Sequence, residues 1–129
     1  MSDTMLIELV QLDDACVVHL KGRFVTGGDM NHLYAKVAEI KNRNCRNVIV
    51  DMTEVPFIGS TGIGFLVGMY SSITRCPGGR FILASLHPRV HEVFEVTRIN
   101  TLIPIVADLE TALATMRSET LVARSAPTR

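Results

Sequence analysis

The feature that most constrains this fold is a short unbroken apolar run that leads into a helix. Val48, Ile49 and Val50 form that run, which is typical of a strand buried on both faces of a sheet. Pro56 follows that run. Because proline has no N–H to donate to a neighbouring strand, the strand must end before it. Gly59-Ser60-Thr61-Gly62 then opens a helix. Its apolar residues have the spacing of one helical face: Ile63, Leu66, Val67, Tyr70 and Ile73.

Two hydroxyl residues stand at the start of that helix, and they have two interpretations. Ser60 or Thr61 falls at the N-cap, where a hydroxyl accepts a hydrogen bond from an unpaired backbone N–H. Alternatively, one of them is a phosphoacceptor, because the positive helix end and its free N–H groups favour a phosphate. Such a phosphate would bring about two negative charges to any partner bound there. Local sequence leaves both interpretations open.

Composition restricts the function classes. A chain of 129 residues with 47% hydrophobic content forms one domain around a single core. Thirteen basic and thirteen acidic residues cancel, so neither nucleic acid nor an acidic membrane is favoured as the main partner. No apolar run is long enough to cross a bilayer, and the acidic start Met1-Ser2-Asp3-Thr4 does not resemble a secretory signal. Cys16, Cys45 and Cys76 lack Cys-x-x-Cys spacing and are expected to be reduced packing residues in a cytoplasmic protein.

The remaining periodicity predicts the order β-β-α-β-α-β-α-β-α. This order is that of a single α/β domain with a mostly parallel four- to five-stranded sheet, an N-terminal antiparallel hairpin and helices packed against it. We expect the domain to comprise residues 1–117 and the tail 118–129 to be disordered. The predicted elements are the hairpin strands Met5–Leu12 and Cys16–Leu20, a helix from Met30 to Lys41, the strand at Val48, the Ser60 helix, a strand Arg80–Ala84, a short helix from Pro88 to near Asn100, an edge strand Leu102–Val106, and a helix from Asp108 to Met116.

Histidines and glycines outside the Ser60 segment give weaker signals. His19 lies on the wetter side of an alternating strand and is expected to be a surface residue. His87 and His91 frame a helix start without cysteines or carboxylates at metal spacing, so no metal site is predicted. Gly27-Gly28 alone is a weak phosphate signal, and a turn with a capping box between Thr26 and Asp29 is the plainer interpretation.

The Ser60 segment resembles a known family signature. Val48-Ile49-Val50-Asp51, then Val55, then the run Phe57 to Gly64 is similar to the motif of the STAS domain, shared by bacterial anti-sigma factor antagonists. Its commonest form is Asp-Ser-Ser/Thr-Gly-Leu/Ile-Gly, in which the first serine is phosphorylated. That serine corresponds to Ser60, followed by Thr61, Gly62 and Ile63, whereas Gly59 stands where many members have Asp. The element order matches the family from about Met5 to Met116.

The resemblance implies a binding switch. The unphosphorylated protein would bind an anti-sigma factor with serine kinase activity and so release a sigma factor. The kinase would use ATP and Mg²⁺ to phosphorylate Ser60, in preference to Thr61, and a serine phosphatase would reset the cycle. In this family the loop from Gly22 to Asp29, with Arg23 and Thr26, lies near the phosphoacceptor and is a second contact region. The resemblance implies no cofactor and no contact with nucleic acid or membrane, and self-association is compatible with it.

The Ser60 helix carries a second apolar strip formed by Phe65 and Met69. A helix that is apolar nearly all round is either deeply buried or presents a surface to a partner. One hypothesis is that both side chains, with Gly62 and Gly64 allowing close approach, form a docking surface beside Ser60. The other is that both pack beneath a neighbouring helix.

Other functions have less support in the residues. A non-switching STAS scaffold subunit of a signalling assembly is one alternative, and a module binding a nucleotide or lipid beside the Ser60 helix is another. A phosphoaspartate receiver needs several acids and a late lysine, but Asp51 stands nearly alone. Gly59-Ser60-Thr61-Gly62 lacks the Gly-x-Ser-x-Gly elbow of serine hydrolases. We therefore expect no intrinsic catalysis.

Overall fold

The computed structural model describes residues 6–12, 15–22, 30–42 and 46–125. Its elements follow the predicted order. They are β1 Leu6–Leu12, β2 Ala15–Lys21, α1 Met30–Asn42, β3 Asn47–Glu54, α2 Ser60–Thr74, β4 Arg80–Ala84, α3 Pro88–Val96, a 3-10 turn Ile99–Thr101, β5 Ile105–Val106 and α4 Leu109–Ser125. None of the helices within these ranges is both long and apolar enough to cross a bilayer.

The five strands form one sheet in the order β1-β2-β3-β4-β5. β1 runs antiparallel to β2, with Ile7 opposite Leu20, and the other three pairings are parallel. The apolar run Val48 to Val50 lies in β3, at the middle of the sheet, and is fully buried. The predicted mixed sheet with an antiparallel start is confirmed.

Alternation along the strands divides the core between the two faces of the sheet. Three helices cover one face and α4 covers the other. The larger core contains sheet residues Cys16, Val18, Leu20, Val48, Val50, Met52, Phe81 and Leu83, with Val37 and Ile40 of α1, Phe65, Leu66, Met69 and Ile73 of α2, and Val90 and Phe94 of α3. The smaller core contains Ala15, Ile49, Ile82 and Ala84 with Ala112 and Met116 of α4.

The last strand is shorter than predicted. The sequence predicts a strand from Leu102 to Val106, but β5 contains only Ile105 and Val106. The backbone N–H groups of Leu102 and Ile103 both donate to the carbonyl of Ile99, at 2.9 Å, and are thus used in a turn. Pro104 has no N–H to donate and contributes only its carbonyl, which accepts the Leu83 N–H at 3.0 Å, so the strand begins at Ile105. The predicted place of this strand at a sheet edge is confirmed.

The last helix is longer than predicted. The loss of periodicity from Ser118 onward predicts a disordered tail, whereas the backbone of α4 is helical through Ser125. No glycine or proline interrupts the chain before Pro127, so nothing in the covalent chain stops the helix earlier. Residues 126–129 lie outside the described part.

Candidate functional site

The connection between β3 and α2 is anchored by buried apolar side chains. Val55 is fully buried and Ile58 is 2% exposed. The N–H of Val55 donates to the carbonyl of Met52 at 3.0 Å, which turns the chain directly after the strand. This short, anchored connection holds the start of α2 at the carboxyl end of the parallel strands, where α/β sheets commonly place their functional loops.

Helix α2 starts one residue earlier than a Ser60 cap would require, because Ser60 is itself helical. Gly59 is the N-cap, with φ −109° and ψ −174°, and no side chain caps the helix. Its carbonyl accepts the N–H of Ile63 at 3.0 Å, the first bond of the helix. Ser60 is the first helical residue, so the predicted capping role of Ser60 or Thr61 is wrong. The reason is that Gly59 already has the extended conformation of an N-cap.

This arrangement leaves an accessible hydroxyl at the positive end of a helix. Ser60 is exposed, Thr61 is half-buried and Gly62 is buried. The N–H groups of these three residues precede Ile63 and therefore have no partner inside the helix. A phosphate on Ser60 would lie beside these donors and the helix dipole. Because Gly59 carries no carboxylate, no negative charge at the cap position opposes that phosphate.

Phe65 and Met69 do not form a docking surface. Each is 1% exposed and belongs to the larger core. The ring of Tyr34 on α1 meets the ring of Phe65 edge-on, with centroids 5.6 Å apart and planes at 71°. The hypothesis of an exposed strip is therefore wrong, since α1 covers that flank of α2.

The exposed side of α2 consists of smaller residues. Ser60, Gly64 and Gly68 recur every four residues and are exposed. A Cβ atom added at Gly64 or Gly68 would meet nothing within 4 Å. Ile63 is only partly buried and packs against the larger core. We call Ser60, Gly64 and Gly68 the exposed stripe of α2. Arg23 and Thr26, the predicted second contact region, lie outside the described residues.

A polar cluster on the opposite face of the sheet was missed by sequence reasoning. His19 is predicted to be a surface residue, but it is half-buried and its Nδ1 lies 2.8 Å from Oδ2 of Asp51. Oδ1 of Asp51 accepts the Thr53 N–H at 3.1 Å and the Thr53 hydroxyl at 2.6 Å. Nε2 of His87 lies 2.7 Å from the carbonyl of Thr53. An acid directly after a buried apolar run was the available signal, because a buried carboxylate needs donors.

Two further residue predictions concern cysteine and metal. Cys16 is buried, as expected of a packing residue, but Cys76 is exposed in the turn after α2 and does not pack. Cys76 is the first residue of the turn Cys76-Pro77-Gly78-Gly79 at the end of α2, where its thiol is at the surface. Cys45, also predicted to pack, lies outside the described residues. Among the side chains that the structure describes, no group of three or more His, Cys, Asp or Glu could hold a metal ion.

Comparison with known proteins supports the same family. The chain is 25% identical over 114 residues to BtrV of Bordetella bronchiseptica, provisionally named an anti-sigma factor antagonist, with 88% of this chain and 97% of the relative covered. An anti-sigma factor antagonist from Mycobacterium paratuberculosis has a crystal structure with TM-score 0.80 at 20% identity, covering 91% and 97% of the two chains. The Bacillus cell fate determinant SpoIIAA in its phosphorylated form gives TM-score 0.65 at 18% identity, covering 86% and 99%.

At these identities the solved structures establish the fold, and the family model establishes membership. The model described as the STAS domain matches residues 7–112, which include the whole sheet from Ile7 onward and the Ser60 helix. The observed mixed sheet agrees with that assignment. The chain therefore belongs to the STAS domain family.

Proposed function

We propose that this protein is an anti-sigma factor antagonist that is switched by phosphorylation of Ser60. The observation that carries the proposal is the exposed Ser60 hydroxyl at the first position of α2, in a chain of the STAS family. The unphosphorylated protein binds an anti-sigma factor with serine kinase activity, and this binding frees a sigma factor. The relative in Bordetella bronchiseptica carries an antagonist name, which favours this role over other functions of the family.

The switching reaction is a phosphoryl transfer. The hydroxyl oxygen of Ser60 attacks the γ-phosphate of the kinase's ATP, the bond to ADP breaks, and the hydroxyl proton leaves to a base on the kinase. A serine phosphatase later hydrolyses the phosphoester and restores the hydroxyl. We expect no turnover by the pure protein, which supplies only the acceptor.

The phosphate acts differently on the helix and on the partner. Within the chain it is stabilised, because it lies beside unpaired N–H groups at the positive helix end. Toward the partner it adds about two negative charges to a surface that was neutral, where desolvation and repulsion weaken binding. Phosphorylation therefore releases the partner without unfolding the domain.

The partner contacts the exposed stripe of α2. Ser60, Gly64 and Gly68 share one side of the helix, and the open space beside both glycines allows close approach of another chain. A kinase that holds this side of α2 has the Ser60 hydroxyl at the end of its contact surface. Binding and modification therefore use the same face.

The test is a phosphorylation assay with the anti-sigma kinase that binds this protein, ATP and Mg²⁺. We expect one phosphate per chain, mapped to Ser60 by mass spectrometry. The Thr61→Ala variant is the matched control and should remain a substrate, whereas Ser60→Ala should not. Equal phosphorylation of Ser60→Ala and the unmodified sequence would remove Ser60 from this role.

A further inference from the structure

Helix α2 has an outer side without charge. None of its 15 residues, from Ser60 to Thr74, is Asp, Glu, Lys, Arg or His. The other three helices carry charged side chains that reach solvent: Lys36 and Glu39 on α1, Glu92 and Glu95 on α3, and Glu110 and Arg117 on α4. Charged residues normally occupy the side of a helix that faces water. They are depleted at the centre of a protein–protein interface, so the outer side of α2 has the composition of such a centre.

Tyr34 of α1 borders this uncharged side with an exposed aromatic ring. The residue is 54% exposed, and its ring meets the buried ring of Phe65 on α2 edge-on, with centroids 5.6 Å apart. Phe65 lies one turn before Gly68 on the helix, so the Tyr34 ring stands beside the open space at that glycine. We call Tyr34 together with the exposed stripe of α2 the neutral surface.

The contact with Phe65 holds Tyr34 in place before a partner arrives. Phe65 is 1% exposed and belongs to the larger core, so it gives the Tyr34 ring a rigid support. A tyrosine side chain has only two torsion angles, and a supported ring loses little conformational entropy on binding. Covering its exposed part removes apolar area from water. Tyrosines with these properties are among the residues that dominate the energy of protein interfaces.

We infer, on the basis of the function proposed above, that Tyr34 anchors the anti-sigma partner. The partner places an uncharged apolar side chain, leucine, methionine or phenylalanine, against the Tyr34 ring and into the open space beside Gly64 and Gly68. A charged side chain would lose its water there without an opposite charge to pair with, because α2 supplies none. The partner is therefore neutral at the centre of the contact, and Ser60 lies at one end of it.

The test measures affinity for the anti-sigma kinase by calorimetric titration, in a Ser60→Ala background that cannot be phosphorylated at this position. Tyr34→Ala should weaken binding at least tenfold, whereas Tyr34→Phe keeps the ring and should change it little. Leu102→Ala is the matched control, since it removes an apolar side chain that is 49% exposed in the turn after α3, and it should leave affinity unchanged. The loss from Tyr34→Ala should be equal at low and high salt, because no charge is involved.

A second variant tests the neutral surface without touching the ring contact. Gly68→Asp adds a charge at a position where a Cβ meets nothing within 4 Å, so circular dichroism should show an intact fold while binding weakens at least tenfold. Val96→Asp adds the same charge at a residue of α3 that is 78% exposed and should leave affinity unchanged. This pair decides the question if Tyr34→Ala lowers stability.

Kinase binding that neither Tyr34→Ala nor Gly68→Asp weakens would overturn the anchor. A dimer of the unmodified chain that Gly68→Asp dissociates would assign the neutral surface to a second copy and would overturn it too. The anchor and the switch fail separately. A kinase that binds through Tyr34 but does not phosphorylate Ser60 contradicts only the switch, whereas phosphorylation of Ser60 with binding insensitive to both variants contradicts only the anchor. A chain that binds no anti-sigma kinase contradicts both.

Discussion

The imidazole of His19 on β2 lies 2.8 Å from the carboxylate of Asp51 on β3 and links the two strands side by side. A carboxylate only accepts hydrogen bonds, so the ring nitrogen is the donor. Asp51 is 9% exposed and also accepts both the N–H and the hydroxyl of Thr53. One buried carboxylate thus satisfies three donors at the carboxyl end of the central strand.

Asp51→Ala should destabilise the domain by about 1–3 kcal/mol, because it leaves partly buried donors without their acceptor. Urea unfolding followed by circular dichroism measures this change. Glu54→Ala is the matched control on the same strand, since Glu54 is exposed and contacts Lys21 only at 3.8 Å. The control should lose less than about 1 kcal/mol. Equal losses for both variants would contradict a structural role for the Asp51 hydrogen bonds.

Ser60→Asp should weaken binding of the anti-sigma partner by at least tenfold without lowering stability. A negative side chain in the first helical turn is favourable by about 0.3–1 kcal/mol, so the free energy of unfolding should rise or stay constant. Calorimetric titration gives the affinity, and thermal unfolding gives the stability. Ser60→Asn, similar in shape but neutral, should bind more tightly than Ser60→Asp. Indistinguishable affinities of these two variants would argue against an electrostatic switch.

Gly64→Ala should stabilise the domain by about 0.5–1 kcal/mol, since glycine inside a helix is unfavourable and a Cβ there meets nothing within 4 Å. Gly64→Leu should keep the fold but weaken partner binding at least tenfold by blocking close approach to the exposed stripe of α2. Glu92→Leu, at an exposed position of α3, is the control for an added apolar side chain. Undiminished partner binding by Gly64→Leu would place the interface elsewhere.

Phe65→Ala should cost about 3–5 kcal/mol, because it removes a buried ring from the larger core. Val96→Ala, at a side chain that is 78% exposed, should change stability by less than about 0.5 kcal/mol. Chemical denaturation compares the two. A Phe65→Ala protein of unchanged stability with reduced partner affinity would restore the docking role that its burial argues against.

The carboxylate of Asp108 should make α4 sensitive to acid. Its side-chain hydrogen bond with Thr111, followed by the bond from the Thr111 N–H at 2.7 Å, lowers the pKa of Asp108 below its ordinary value of 3.8. Because the pKa of Asp108 is lower in the folded state than in the unfolded state, its ionisation stabilises the fold at pH values above the unfolded-state pKa. This stabilisation is lost as the pH falls through the folded-state pKa. Thermal unfolding between pH 5 and pH 2 should show a smaller acid-dependent loss for Asp108→Asn than for the unmodified sequence. If stability fell with pH in parallel for the two proteins, ionisation of Asp108 would not contribute to the stability of the fold.

The parts of the structure that sequence predicted are those set by local periodicity. Val48 to Val50 identified the central strand, and the spacing after Ser60 identified α2. The covered flank of α2 could not be predicted, because Phe65 is buried by Tyr34, a residue more than thirty positions earlier in the chain. The same holds for His19 and Asp51, which become neighbours only through the register of two parallel strands. Local pattern defines elements, whereas contacts between distant segments decide which side chains remain exposed.

Helix α2 turns its large side chains inward and leaves small residues on its outer side. Phe65 and Met69 belong to the larger core, whereas Ser60, Gly64 and Gly68 are exposed. A side of this kind has little relief, so a partner that binds it would have to supply the protruding side chains itself. A single phosphate at Ser60 would then be the largest feature that such a partner meets.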